Sequence, residues 1–282
     1  MRTLSIFVSL TMLACFATVS ARAQDIHAAQ EINPNDFIRE GVPKMPNPPG
    51  PAPVRDLSGV WVGPQNNRPD PLPPMTAAGE DVFATRHSYG SVSRNEDLGV
   101  SNDPFITCDP LGFPRNLLAH AVSSRGRFIF ANAPNRLLIA YEQQRIWREI
   151  WMDGRALPDA VDVRGAPESR YYGYSVGHWE GDHTLVIDTT GLDERPWLDE
   201  AGHPRSSSAR IQERYTRLDE HNLQLTVTID DPEYYTQPWT WMRANFYWVQ
   251  GQEFAETFCI PSEGIEYRDS LARPSGIETT FQ

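Results

Sequence analysis

A succession of short β-type runs between residues 127 and 260 is the feature that most limits the fold of this chain. Each run is rich in aromatic and β-branched residues and ends at a turn signal such as Glu180-Gly181-Asp182, which is the pattern of strands joined by hairpins. Helical periodicity is nearly absent, so we predict an all-β fold, an antiparallel meander closed or nearly closed as a barrel. The predicted strands are a first one at Trp61 and then Arg127–Ala131, Leu137–Glu142, Arg145–Met152, Tyr172–Trp179, Thr184–Thr190, Ala209–Arg217, Leu223–Asp230, Trp239–Val249 and Glu253–Ile260.

The first 23 residues have the layout of a secretory signal peptide. Arg2 precedes an apolar stretch that runs from residue 4 to residue 19, and Ala21-Arg22-Ala23 is a cleavage pattern that predicts a cut after Ala23. Cys15 stands in a loose lipobox, so a lipoprotein signal is the alternative. We therefore predict a periplasmic or secreted protein. We also predict no transmembrane segment, because the apolar stretch is short for a span and no other stretch is longer.

Prolines separate a tail from a domain. Eleven of the 24 prolines lie between Pro43 and Pro74, and such a run cannot contribute central strands. We predict a Pro-rich N-terminal tail over residues 24–56, wrapping irregularly, and a single domain over residues 57–282. Within the domain, Thr76 is the expected cap of a short helix over 77–88, and residues 89–120 are expected to form a long ordered loop.

Charge and motif content limit the partners and cofactors. The formal net charge is −12, with 25 basic against 37 acidic residues and no basic block, so nucleic acid and anionic membranes are not expected partners. Cys108 and Cys259 would remain after cleavage, and in an exported protein such a pair is more often a disulfide than a nucleophile. Phosphate-binding, dinucleotide and zinc motifs are absent, so we predict no cofactor and no metal.

Two sets of residues carry a resemblance to known families. Gly59-Val60-Trp61 on a first strand resembles the G-x-W start of lipocalins and other calycins, which implies a lipocalin-like barrel. A longer set resembles an uncharacterised family of exported bacterial all-β proteins; it comprises Asp56–Trp61, Cys108–Arg115, Tyr174–Asp182 and Asp230-Asp231-Pro232. This second resemblance spans about residues 56–260 and implies a shared fold and export. It implies no activity and no catalytic residue.

Four predicted strands embed ionisable side chains in aromatic or apolar rows, and chemistry is expected there. Residues i and i+2 of a strand share a face. The four rows are Arg145, Trp147, Glu149, Trp151; Tyr172, Tyr174, Val176, His178; Ala209, Ile211, Glu213, Tyr215, Arg217; and Trp239, Trp241, Arg243, Asn245, Tyr247, Val249. By contrast, the run 223–230 separates cleanly into an apolar face and a polar face.

If these rows face one cavity, they form a site for acid–base chemistry on a small apolar or aromatic molecule. His178 would shuttle a proton with Glu213 or Glu149, because an apolar pocket raises a carboxyl pKa toward neutrality. Arg145 and Arg243 would hold an anionic group. The walls of the cavity would be Trp147, Trp151, Tyr174 and Trp241. This arrangement predicts an exported lyase, isomerase or hydrolase that needs no cofactor.

Two further interpretations stay open at this stage. A lipocalin-like periplasmic carrier would use the same cavity to bind a small ligand without converting it. An envelope interaction protein would instead present its tryptophan rows to solvent and bury them against a partner. The three hypotheses differ in where the four rows point.

Overall fold

The computed structural model describes residues 49–88, 101–118, 127–248 and 257–272. The predicted signal peptide and residues 24–48 of the predicted tail lie outside the described residues. So do residues 89–100 and 119–120 of the predicted loop and residues 253–256 of the predicted last strand. No helix among the described residues is long and apolar enough to cross a membrane.

Nine strands form one closed barrel, which confirms the predicted fold class. They are β1 (Gly59–Gln65), β2 (Arg127–Ala133), β3 (Arg136–Tyr141), β4 (Trp147–Trp151), β5 (Tyr174–Glu180), β6 (Thr184–Thr190), β7 (Arg210–Arg217), β8 (Asn222–Asp230) and β9 (Trp239–Trp248). Consecutive strands pair antiparallel except β4 and β5, which are parallel, and β9 closes the barrel on β1. The parallel pair departs from the predicted meander. It requires a long connection that returns the chain to the same end of the barrel, and residues 152–173 provide it.

Two short helices accompany the barrel. Helix α1 (Ala77–Ala84) begins where the sequence predicts, because the Thr76 hydroxyl accepts a hydrogen bond from the Gly79 N–H. Helix α2 (Pro261–Tyr267) follows the barrel. The predicted strand Glu253–Ile260 is wrong over its described part, where only Thr257 forms a bridge. The chain then turns into α2, which starts at a proline suited to a first helical turn.

The barrel interior is filled by side chains, as expected for a barrel of this size. Trp61, Phe128, Tyr215 and Phe246 have almost no exposed surface. The apolar face predicted for the run 223–230 points inward and is fully buried. Trp61 donates its Nε1–H to the Leu57 carbonyl at 2.8 Å, which satisfies its one polar atom.

Loops close both ends of the barrel. At one end, the Arg217 guanidinium lies 5.1 Å from the Trp61 ring and donates to the Asp56 carbonyl at 2.7 Å. At the other end, residues 111–118 form a plug in which Phe113 and Leu117 are buried. A disulfide joins Cys108, next to this plug, to Cys259, next to α2. The connection between β1 and β2 is therefore tied to the segment that follows the barrel.

Candidate functional site

Glu213 lies inside the barrel, where the sequence places it, and it has a partner that the sequence analysis missed. Its two carboxylate oxygens accept hydrogen bonds from the Arg148 guanidinium at 3.0 and 2.7 Å, and one also accepts from the Tyr215 hydroxyl at 2.7 Å. Arg148 also donates to Tyr141, Ser175 and Thr189. Both members of the ion pair are buried almost completely.

Electrostatics make this inner centre a fixed structural pair. Burial alone lowers the pKa of Arg148, but the charge and hydrogen bonds of Glu213 outweigh it and raise that pKa. Burial and the Glu213 charge raise the pKa of Tyr215 well above its usual value, so the phenol stays neutral. Both Glu213 oxygens accept hydrogen bonds from neighbouring side chains, and the carboxylate has no exposed surface through which a substrate could reach it.

The structure does not bring the other two predicted catalytic residues to Glu213. The His178 side chain is 56% exposed on the outside of β5, and its nearest carboxylate is Glu180 at 3.7 Å. Glu149 lies on the outside of β4 in an ion pair with Arg136. Side chains of alternate residues point to opposite faces, so β4 and β5 turn the predicted rows outward and turn Arg148 and Ser175 inward.

The predicted anion-holding and wall residues of β9 are also separated. Arg243 is exposed on the outer surface. The register shifts between Val227 and Thr228 of β8, which leaves Trp241 as the extra residue of a bulge. Trp241 and the next residue, Met242, are therefore both buried, and beyond the bulge the alternation places Arg243 outside. Arg145 is exposed in the turn before β4, with a positive φ of 53°. No single cavity therefore contains the predicted set.

Four of the predicted residues nevertheless share one surface, on the outer wall of β3, β4 and β5. We call it the outer aromatic surface, made of Arg136, Trp147, Glu149, Trp151, Arg155 and Tyr174. The strand register brings the three strands together at Trp151, which lies opposite Arg136 of β3 on one side and beside Val176 of β5 on the other. Trp147 is 70% exposed at one end of it.

Trp151 is the centre of an ordered stack. The guanidinium carbon of Arg136 lies 4.0 Å from its ring centre and that of Arg155 lies 3.5 Å from it. Arg136 is paired with Glu149, while Arg155 donates to Asp153 at 2.6 Å and to the Tyr174 hydroxyl at 2.9 Å. Hydrogen bonds from Arg155 lower the pKa of Asp153, which is therefore ionised at neutral pH. Each cation of the stack thus has its own anion.

Two depressions on the outer surface are also candidates for a site. One, of about 510 Å³, runs along the outside of β6, β7 and β8 and is lined by Asp188, Arg210, Gln212 and Asp230 among others. The other, of about 600 Å³, lies against α2. Neither contains a predicted site residue. Over the described ranges, no three His, Cys, Asp or Glu side chains come close enough together to bind a metal ion.

Comparison of the chain with protein-family models and with curated proteins finds no match in either. The resemblances to calycins and to exported bacterial proteins therefore stay predictions.

Proposed function

We propose that this chain is an exported interaction protein that binds a protein partner through the outer aromatic surface. The observation that carries the proposal is Trp147, which stands on a regular strand with 70% of its surface exposed. A tryptophan offers roughly 200 Å² of surface, so covering the exposed part would contribute about 3 kcal/mol before the costs of binding. A partner that covers Trp147 gains this energy.

The composition of the surface supports a protein partner. Energetic centres of protein interfaces are enriched in tryptophan, tyrosine and arginine, and these are the residue types gathered here. A carbohydrate would need open ring faces, whereas both faces of Trp151 are covered by guanidinium groups. Trp147 is thus the most exposed aromatic side chain of this surface.

The order of the stack also favours binding. Arg136 and Arg155 are long side chains that would lose rotamer freedom at an interface, at about 0.5–1.5 kcal/mol each. Here Glu149, Asp153 and Tyr174 already hold them against Trp151. These two side chains therefore lose little further conformational entropy when a partner binds. Its two arginines are balanced by Glu149 and by the neighbouring Asp153, so it does not add to the repulsion that a chain of net charge −12 exerts on an acidic partner.

The packed barrel interior makes a carrier or an inner active site the weaker alternative. The buried apolar residues of the barrel core are at most 8% exposed, and the charges of Arg148 and Glu213 satisfy each other. A ligand bound inside the barrel would have to displace core side chains. The outer surface requires no such rearrangement.

Site-specific photocrosslinking in intact cells tests the proposal. A photoreactive phenylalanine analogue replaces Trp147, and in a control strain it replaces Gln224 on the outer face of β8. We expect a discrete protein adduct from position 147 only, and we expect Arg155→Ala, which opens the Trp151 stack, to weaken it. Equal adduct patterns from both positions, or an adduct with polysaccharide alone, would rule out a protein partner at this surface.

A further inference from the structure

The loop between β6 and β7, residues 191–209, contains an aspartate–histidine pair that the proposed function does not use. The Asp199 Oδ2 atom lies 2.6 Å from the His203 Nδ1 atom. Both side chains are partly exposed, at 26% for Asp199 and 22% for His203. The pair is therefore a short hydrogen bond at the protein surface with one side open to solvent.

Several contacts fix the orientation of the pair. The second Asp199 oxygen accepts the backbone N–H groups of Ala201 at 2.9 Å and of His203 at 3.2 Å. The Leu198 N–H donates to the His203 carbonyl at 2.8 Å, which closes the loop around the pair. The imidazole stacks on Phe83 of α1 with ring centres 5.0 Å apart and planes 6° from parallel. The imidazole is thus fixed by the backbone hydrogen bonds of His203, by the bond from its Nδ1 atom to Asp199 and by the stacking of its face on Phe83.

This orientation decides which nitrogen is basic. With the Nδ1–H donated to Asp199, the lone pair of the neutral imidazole is on Nε2. Among the described residues, none gives Nε2 a hydrogen-bond partner. Burial raises the pKa of Asp199, but the hydrogen bond and charge of His203 and the two backbone N–H groups outweigh it and lower that pKa. An ionised carboxylate therefore orients a histidine whose free nitrogen faces solvent.

We propose that Asp199 and His203 form an acid–base dyad that hydrolyses small carboxylic esters. Nε2 takes a proton from a water molecule while the water oxygen bonds to the acyl carbon. The bond from that carbon to the leaving oxygen then breaks, and the proton passes from Nε2 to the leaving alkoxide. The products are an acid and an alcohol, and no oxidant or cofactor is consumed.

The two residues have different roles in this step. His203 is the catalytic residue, because its Nε2 touches the reacting water. Asp199 is a positioning residue that selects the tautomer and stabilises the imidazolium during the step, as the carboxylate does in serine hydrolases. A His that is oriented by a carboxylate in this way is the common feature of such sites.

Hydrolysis of p-nitrophenyl acetate by the full chain tests the dyad. We expect His203→Gln to lower the protein-dependent rate by about 10²–10⁴-fold, the usual contribution of a general base. His183→Gln is the matched control, because His183 Nδ1 is bonded to the Pro53 carbonyl instead of a carboxylate. We expect its rate to stay within twofold of the native protein. A fall of less than tenfold for His203→Gln, or an equal fall for both variants, overturns the proposal.

Asp199→Asn separates positioning from a merely structural role. Asparagine keeps the oxygen that accepts the Ala201 and His203 N–H groups, so the loop should stay closed. Its amide group would face Nδ1, which moves the His203 proton to Nε2 and removes the basic lone pair. We expect kcat to fall with KM unchanged, together with a tautomer change in the nitrogen NMR spectrum of His203. A tautomer change without loss of rate overturns the role of Asp199, and His203→Gln tests the dyad even if the Asn variant does not fold.

Discussion

Replacing Glu213 with glutamine should destabilise the barrel far more than the same replacement at the surface. Glu213 is the counter-charge of Arg148, and both side chains are at most 1% exposed. Glutamine has nearly the same shape, so the change removes the charge and leaves the volume. The perturbation therefore isolates the electrostatic contribution of the pair.

The structure sets the size of the effect. Glutamine keeps one oxygen, but its amide nitrogen would replace the carboxylate oxygen that now accepts a hydrogen bond from Arg148 at 2.7 Å. Two donors would then face each other. Arg148 would then be a buried cation without a counter-charge, and removing one member of a buried pair costs about 3–5 kcal/mol. A domain is stable by about 5–15 kcal/mol in total, so this loss is about a fifth of the stability or more.

Urea unfolding with the disulfide intact measures the effect, since the free energy of unfolding extrapolates linearly to water. Glu149→Gln is the control, because the pair of Glu149 with Arg136 is partly exposed and such pairs contribute about 0–1 kcal/mol. We expect Glu213→Gln to exceed the control by at least about 2 kcal/mol, the gap between the lowest cost of a broken buried pair and the highest cost of an exposed one. Equal losses for the two variants would show that Arg148 is not held in a dry interior.

A double variant completes the test. If the cost comes from an unpaired buried charge, then removing that charge should recover most of it. Arg148→Met combined with Glu213→Leu should thus be more stable than Glu213→Gln alone, because apolar replacements of buried pairs are often neutral or stabilising. Failure of the double variant to recover stability would instead assign the cost to the hydrogen bonds with Tyr141 and Tyr215.

Three further predictions concern the disulfide, α1 and the buried tyrosines. Replacing Cys108 and Cys259 with serine should lower the free energy of unfolding by about 4–5 kcal/mol, because the bridge spans 151 residues; an unchanged urea midpoint would contradict this. Gly79→Ala should cost about 1–3 kcal/mol in the same assay, since a Cβ there would clash with the Tyr234 carbonyl oxygen. The exposed Ala78→Gly change, which lowers only helix propensity by about 1 kcal/mol, is its control. Burial raises the pKa of Tyr141 and Tyr215, so their contribution to stability is complete below about pH 10 and is lost above it, as the unfolded chain ionises first. Part of the phenolate absorbance should therefore rise only together with unfolding, and ionisation of all 10 tyrosines before unfolding would contradict the burial.

The strand pattern in the sequence predicts the fold class, but it does not determine for every strand which row of side chains points into the barrel. In β8 the apolar residues occupy one face only, so the sequence determines which face is buried. In β4 the two faces conflict: one carries Trp147, Glu149 and Trp151, and the other carries Arg148 and Ile150. The aromatic row has the larger hydrophobic surface, so the sequence leaves both directions open, and the predicted site depends on this row facing inward. The aliphatic row is the one that fits a barrel interior already filled by other aromatic rings.

Arg148 can occupy that interior only because Glu213 faces it from a strand 65 residues later in the chain. An isolated arginine argues against burial, whereas a paired one is tolerated, and strand periodicity does not contain the pairing. The same limit applies to His203. Asp199 lies four residues before it, but in a loop this spacing predicts no contact until the loop closes and Phe83 packs on the ring. Periodicity within a strand assigns side chains to a shared face, so chemistry that depends on contacts between separate elements has to be found in the structure.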